Sequence, residues 1–179
     1  MQVHFFKKDV YKKYHSYFAG LATMIRKYKK IPLDDKKGQS LYFNAINLAL
    51  REVSSSYYHK QLWAGYYYSV ALSQACKELY GKYFPELSDK EKSSVWKVTE
   101  EEHINDIKSI IDNNLVKMKF ITGKKVFKFL DKHFAIAYIF KEENKRLNKI
   151  AKTGRLTKTT TGFDYYKQAN IDIEYLALQ

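Results

Sequence analysis

The chain has 179 residues, 45% of them apolar and 16% aromatic, which is enough for a packed core within one domain of ordinary size. Seven glycines and two prolines exclude collagen-like and low-complexity architectures, and a single cysteine, Cys76, excludes an internal disulfide and a cysteine-based zinc site. Lys and Arg number 32 against 19 Asp and Glu, a formal net charge of +13 that points to a polyanionic partner.

The opening MQVHFFKKDVYKKYH does not read as a secretory leader, because charges recur every few residues and no continuous apolar stretch follows. No run of about 18 uncharged apolar residues marks a transmembrane span. The nearest approach, 62–76, is broken by Gly65, Ser69, Ser73 and Gln74. With one cysteine, these features lead to the expectation of a cytoplasmic protein with no membrane partner.

In chain order, the spacing of Val10, Tyr14, Tyr17, Phe18, Leu21, Met24, Ile25 and Tyr28 predicts a helix over 9–30, with Asp9 as N-cap. Lys12, His15, Arg26, Lys27 and Lys30 fall on its opposite side. After a loop at Pro32, Ser40 reads as the cap of a second helix over 41–53, with Leu41, Ala45, Leu48 and Ala49 inward and Ser54, Ser55 and Ser56 interrupting it. A third helix over 57–83 is apolar almost all round, through Leu62, Trp63, Tyr66, Val70, Leu72, Cys76 and Leu79, and is expected at the centre. Gly81 weakens its end and Pro85 stops it. Ser88 with Glu91, and Thr99 with Glu102, match the capping-box spacing, and the second opens a helix over 100–115 bearing Ile104, Ile107, Ile110 and Ile111.

Residues 116–130 fit two readings. Val116, Met118 and Phe120 alternate with Lys117 and Lys119 as in a strand, and Thr122 to Lys125 would make a hairpin turn; read as helix, the same residues run into the next element. The hairpin is preferred because it gives Gly123 a purpose. A long helix over 132–152 follows, capped by Asp131 and ended by Gly154, and the tail 155–179 closes with Ile171, Ile173 and Tyr175 alternating as a strand beside residues 2–6. The expectation is therefore a mainly α single domain over 1–179, a bundle of about five helices with a small β-hairpin near 116–130 and short terminal strands.

Catalytic chemistry finds little support. Glu100 to His103 holds a single Glu-x-x-His, without the second copy that a di-metal bundle needs, and its three acids suit a helix start. His4, His15, His59, His103 and His133 do not cluster as ligands, so neither metal nor cofactor is expected. Gly123-Lys124-Lys125 lacks the preceding glycine and following hydroxyl of a P-loop. Cys76, among apolar neighbours, reads as an inert core thiol.

The charge is organised instead. Residues 1–37 carry net +7 and 124–158 net +8, around a neutral 38–123. Lys141, Lys145, Lys149 and Lys152 fall at i, i+4, i+8 and i+11, a stripe of roughly 16 Å at the helical rise. Like charges so placed cost a few tenths of a kcal/mol each, and phosphates would relieve them. Arg155 and Lys158 continue the block among threonines, and Lys124, Lys125 and Lys128 precede it. Lys12, Lys27 and Lys30 supply the first block. Tyr14, Tyr17 and Tyr28, interleaved with these lysines, lie on the apolar face and read as core; Tyr11 does not.

These twelve cations lead to the expectation of a non-enzymatic protein that binds DNA or RNA through the phosphate backbone, in a setting such as a phage or mobile element. Two alternatives stay open. One is an interaction protein that inhibits or joins a host nucleic-acid-processing ribonucleoprotein complex. The other is a ribonuclease using a histidine and a lysine.

Overall fold

The computed structural model describes residues 4–54, 62–152 and 162–177. In chain order its elements are α1 (Val10–Lys13), α2 (His15–Lys30), α3 (Lys36–Ser54), β1 (Gly65–Ser69), α4 (Val70–Tyr80), α5 (Asp89–Trp96), β2 (Thr99–His103), α6 (Ile107–Ser109), α7 (Gly123–His133), β3 (Ile136–Phe140), α8 (Lys141–Lys152), α9 (Gly162–Gln168) and β4 (Ile173–Ala177). A short 3-10 turn, Phe84–Glu86, precedes α5, and α6 runs on as a π-helical turn, Ile110–Leu115. The chain forms two compact units, each assembled from two stretches of sequence: unit 1 from Met1–Ala64 and Asn105–Phe134, unit 2 from Gly65–Ile104 and Ala135–Gln179.

Unit 1 is helical. Phe18, Leu21 and Ile25 of α2, Ile46 and Leu50 of α3, Ile107, Ile111 and Leu115, and Val126 and Leu130 of α7 are buried together as its core. Phe6, Phe18 and Phe127 pack within ring-centroid distances of 5.1–6.2 Å, and Trp63 lies 5.1 Å from Phe6 while its Nε1 donates to the carbonyl of Val53 at 2.9 Å. The helix expected over 9–30 breaks at Tyr14, whose φ of −116° and ψ of 26° leave the helical region, and the Asp9 side chain makes no capping bond. In α3 the expected inward face is also corrected. Ile46, Leu50 and Val53 are buried, while Leu41 and Leu48 are 68% and 62% exposed. Both sets recur at helical spacing, so periodicity alone could not choose between them.

The hairpin at 116–130 is not formed. Thr122 caps α7, its Oγ1 accepting from the amide of Lys125 at 3.3 Å, and Val126 and Leu130 bury the i, i+4 face. Gly123 serves close packing rather than a turn: a Cβ there would stand 2.8 Å from the amide nitrogen of Ala19 in α2.

Unit 2 overturns the bundle expectation. It holds a four-stranded mixed sheet in the order β2-β3-β1-β4, so the chain is a mixed α/β fold and not a bundle of five helices. β1 and β3 are parallel, with Tyr67 opposite Ala137; β4 runs antiparallel to β1, with Tyr67 opposite Tyr175; β2 runs antiparallel to β3, with Glu101 opposite Tyr138. The third expected helix is thus strand β1 followed by α4, which Ser69 caps by accepting from the amide of Leu72 at 3.1 Å. The start of that helix, with His59 and the serine run at 55–56, lies outside the described residues. Thr99–His103 is a strand rather than a capping box and helix start, and the first half of the helix expected over 132–152 divides into the end of α7 and strand β3. A short apolar run buried on both faces has no period of its own, which is why strands β1 and β3 read as buried helix. The closing strand does form, but it pairs with β1; Phe6 instead bridges to Trp63. The Ser88–Glu91 capping box forms as expected, and Gly81 ends α4 in the left-handed region at φ 66°. Among the described residues no helix is long and apolar enough to cross a membrane.

Candidate nucleic-acid interface

The basic surface of unit 1 is built by one run of chain laid along α2. Lys29 Nζ donates to the carbonyl of Met118 at 3.2 Å, Arg26 Nη1 to that of Ile121 at 2.8 Å, and Gly123 packs on the backbone at Ala19. The segment 118–123 therefore runs antiparallel to α2 and ends where α7 begins. Between the two lies an open groove of about 470 Å³, lined by Arg26, Lys29, Lys30, Lys119, Phe120 and Thr122 among others. Arg26 is held by a second bond, Nη2 to Thr23 Oγ1 at 2.8 Å, so its guanidinium is positioned by the fold.

Two electrostatic features meet beside this groove. Lysines in the last turn of α2 suit the negative end of that helix dipole. The first turn of α7 has no acid and instead carries exposed Lys124 and Lys125 at the positive end of its dipole, where cations are disfavoured and an anion would be stabilised. Phe120, 61% exposed, sits between two of these cations: Lys119 Nζ and Lys125 Nζ lie 5.6 and 5.1 Å from its ring centroid.

Of the expected contact residues, Lys30 lines the groove, Lys124 and Lys125 open α7 next to it, and Lys128 lies one turn further on, all exposed. Lys12 and Lys27 are exposed on α1 and α2 but do not line it. Lys141, Lys145 and Lys149 are exposed on α8, in unit 2. Lys141 Nζ donates to the carbonyl of Lys97 at 2.7 Å, and Lys145 Nζ lies 2.6 Å from Glu142 Oε1, a bond that raises the lysine pKa. Lys152 belongs to α8, and Arg155 and Lys158 lie outside the described residues. Arg26, Lys29, Lys119 and Phe120 complete the groove without having been singled out from sequence. For Lys119 and Phe120 the signal was the alternation at 117–120, which marks a loop edge here rather than a strand.

Over their full sequence ranges, unit 1 holds 19 Lys and Arg against 7 Asp and Glu, net +12, while unit 2 holds 13 against 12, net +1. The excess of the whole chain is thus almost entirely that of unit 1.

Several ionisable groups of unit 2 pack against its sheet. Glu101 is pushed up to about 7 by burial, and Tyr138 Oη donates to its Oε2 at 3.1 Å. Tyr66, Tyr68, Tyr138 and Phe84 pack around this pair at centroid distances of 5.3–6.4 Å, and burial drives the three phenols above their usual range. Asn144 Nδ2 donates to Glu102 Oε1 at 2.8 Å and also to Glu100. Cys76 is 1% exposed, and burial raises its thiol.

Among the described residues no histidine lines the groove. His4 Nδ1 is 2.5 Å from Oδ2 of the buried Asp131, which also accepts from the amide of Phe6 at 2.9 Å. His133 stacks on Phe129 at 4.5 Å, and burial lowers its pKa. Among the described residues no group of three or more His, Cys, Asp or Glu is arranged to hold a metal ion. The chain has no significant match among protein-family models, curated proteins or solved structures.

Proposed function

We propose that this chain is a non-enzymatic nucleic-acid-binding protein that grips the phosphate backbone with unit 1. The observation that supports the reading is the convergence of Arg26, Lys29, Lys30 and Lys119 on one groove beside a helix start that carries Lys124 and Lys125. Four cations around one concavity repel one another, and phosphates neutralise them with release of counterions. Phosphate contact requires no catalytic group, and the residues around the groove include no histidine, carboxylate or thiol.

Direct titration tests it. Fluorescence anisotropy with labelled DNA and RNA should show binding that weakens steeply with salt. Replacing Lys29, Lys30 and Lys119 together with Gln should flatten that dependence by about two to three phosphate contacts. Absence of binding to any bare nucleic acid, together with stoichiometric capture of an acidic nucleic-acid-processing protein, would transfer the basic surface to the interaction reading.

A further inference from the structure

We infer that the groove of unit 1 selects single-stranded nucleic acid, an unpaired base stacking on Phe120 while its neighbouring phosphates are held by Lys119, Lys125 and the Lys29–Lys30 pair. The inference rests on the proposed nucleic-acid binding and adds the strand form that this site accepts.

Phe120 is the one exposed phenylalanine among the described residues; Phe6, Phe18 and Phe134 are buried and Phe127 is half-buried. Leaving a phenyl face in water forfeits the transfer free energy that its burial would yield. Two ammonium ions, those of Lys119 and Lys125, stand over the ring, 5.6 and 5.1 Å from its centroid. An exposed ring among cations matches a nucleotide strand, in which every base has a phosphate on either side: as the lysines turn to the flanking anions, the ring takes the base face.

A duplex cannot use the same arrangement. Its base faces are covered by stacking on their neighbours, and a lone side chain reaches them only by flipping a base out or wedging between steps at a cost of unstacking. The groove encloses about 470 Å³. Its walls are firm where a strand would press on them, through Arg26 bonded to the carbonyl of Ile121 and Lys29 to that of Met118. Stacking on an apolar ring tolerates any base.

The experiment is an anisotropy titration of the full chain with fluorescein-labelled oligothymidylate, oligouridylate and a mixed-sequence duplex. The expected order has both single strands at least about tenfold tighter than the duplex, the scale of one base–aromatic stack. Phe120→Ala should lower single-strand affinity about tenfold, leaving the salt slope and the duplex affinity unchanged. Phe120→Trp should keep the affinity, and its emission should be quenched on adding oligothymidylate. Because the side chain is exposed, both variants should melt with the parent chain. Equal affinity for duplex and single strands, with Phe120→Ala without effect, overturns the inference and leaves the proposed function standing. Failure of all three probes to bind overturns the proposed function, and this inference with it.

Discussion

Unit 1 carries its charge outside and unit 2 carries its chemistry inside. Unit 1 has net +12 and a core that is apolar and aromatic apart from the buried Asp131; unit 2 has net +1 and a sheet core of Tyr66, Tyr68 and Tyr138 against which the half-buried Glu101 packs. The difference shows why charge summed along sequence misleads. The block 124–158, net +8, is cut between Phe134 and Ala135, so that Lys124, Lys125 and Lys128 belong to one unit and Lys141, Lys145 and Lys149 to the other. Over unit 2 as a whole the cations are nearly balanced by acids, and Lys145 is paired with Glu142. A field of one sign persists only around unit 1.

The largest expected effect tests the interior of unit 2. Glu101 titrates near 7 when folded against 4.5 as a free side chain. The folded chain therefore keeps a proton that the unfolded chain has lost between those values. Stability should fall as pH rises through that window, by about 2–3 kcal/mol for a group this buried. Urea denaturation across that range should show the fall in the parent chain and its absence in Glu101→Gln. A parent curve that stays flat would remove unit 2's half of the contrast.

Next comes the outside of unit 1. The Lys29, Lys30 and Lys119→Gln triple should lose at least about tenfold in nucleic-acid affinity, and Lys141, Lys145 and Lys149→Gln should flatten the salt dependence by less than one phosphate contact. The two triples remove equal charge, so the reverse ranking would relocate the interface to α8 and invert the comparison.

A smaller effect concerns the seam that positions the groove. Replacing Gly by Ala inside a helix ordinarily stabilises by up to about 1 kcal/mol. At Gly123 the added Cβ would stand 2.8 Å from the backbone of α2, so Gly123→Ala should instead destabilise by about 1–3 kcal/mol and weaken binding with it. A raised melting temperature would show that 118–123 does not lie tight against α2. The smallest expected effect is none at all: Cys76, at 1% exposure with its thiol raised by burial, should resist labelling by thiol reagents until the chain unfolds. Rapid labelling of native protein would mean that unit 2 opens readily.

Several local rules were legible where a residue acts on its own neighbours, though the caps expected at Asp9 and Thr99 did not form. The buried face of α2, the Ser88–Glu91 cap, the left-handed Gly81 and the final strand all follow from short-range spacing. The exclusion of an internal disulfide and of a cysteine-based zinc site follows from counting one cysteine, and the net charge of +13 from counting Lys and Arg against Asp and Glu. What tertiary structure decided is everything that needs a partner distant in sequence. Gly65–Ser69 and Ile136–Phe140 are strands because each is flanked on both sides by another strand, β1 by β3 and β4 and β3 by β2 and β1. An apolar run buried on both faces bears no period that would announce this. Phe120 joins a cationic groove only because 118–123 lies along α2, more than ninety positions earlier for the bond from Arg26 to Ile121. Composition sets how much charge and apolar surface a chain has to place, whereas only the pairing of remote segments determines which charges share a surface.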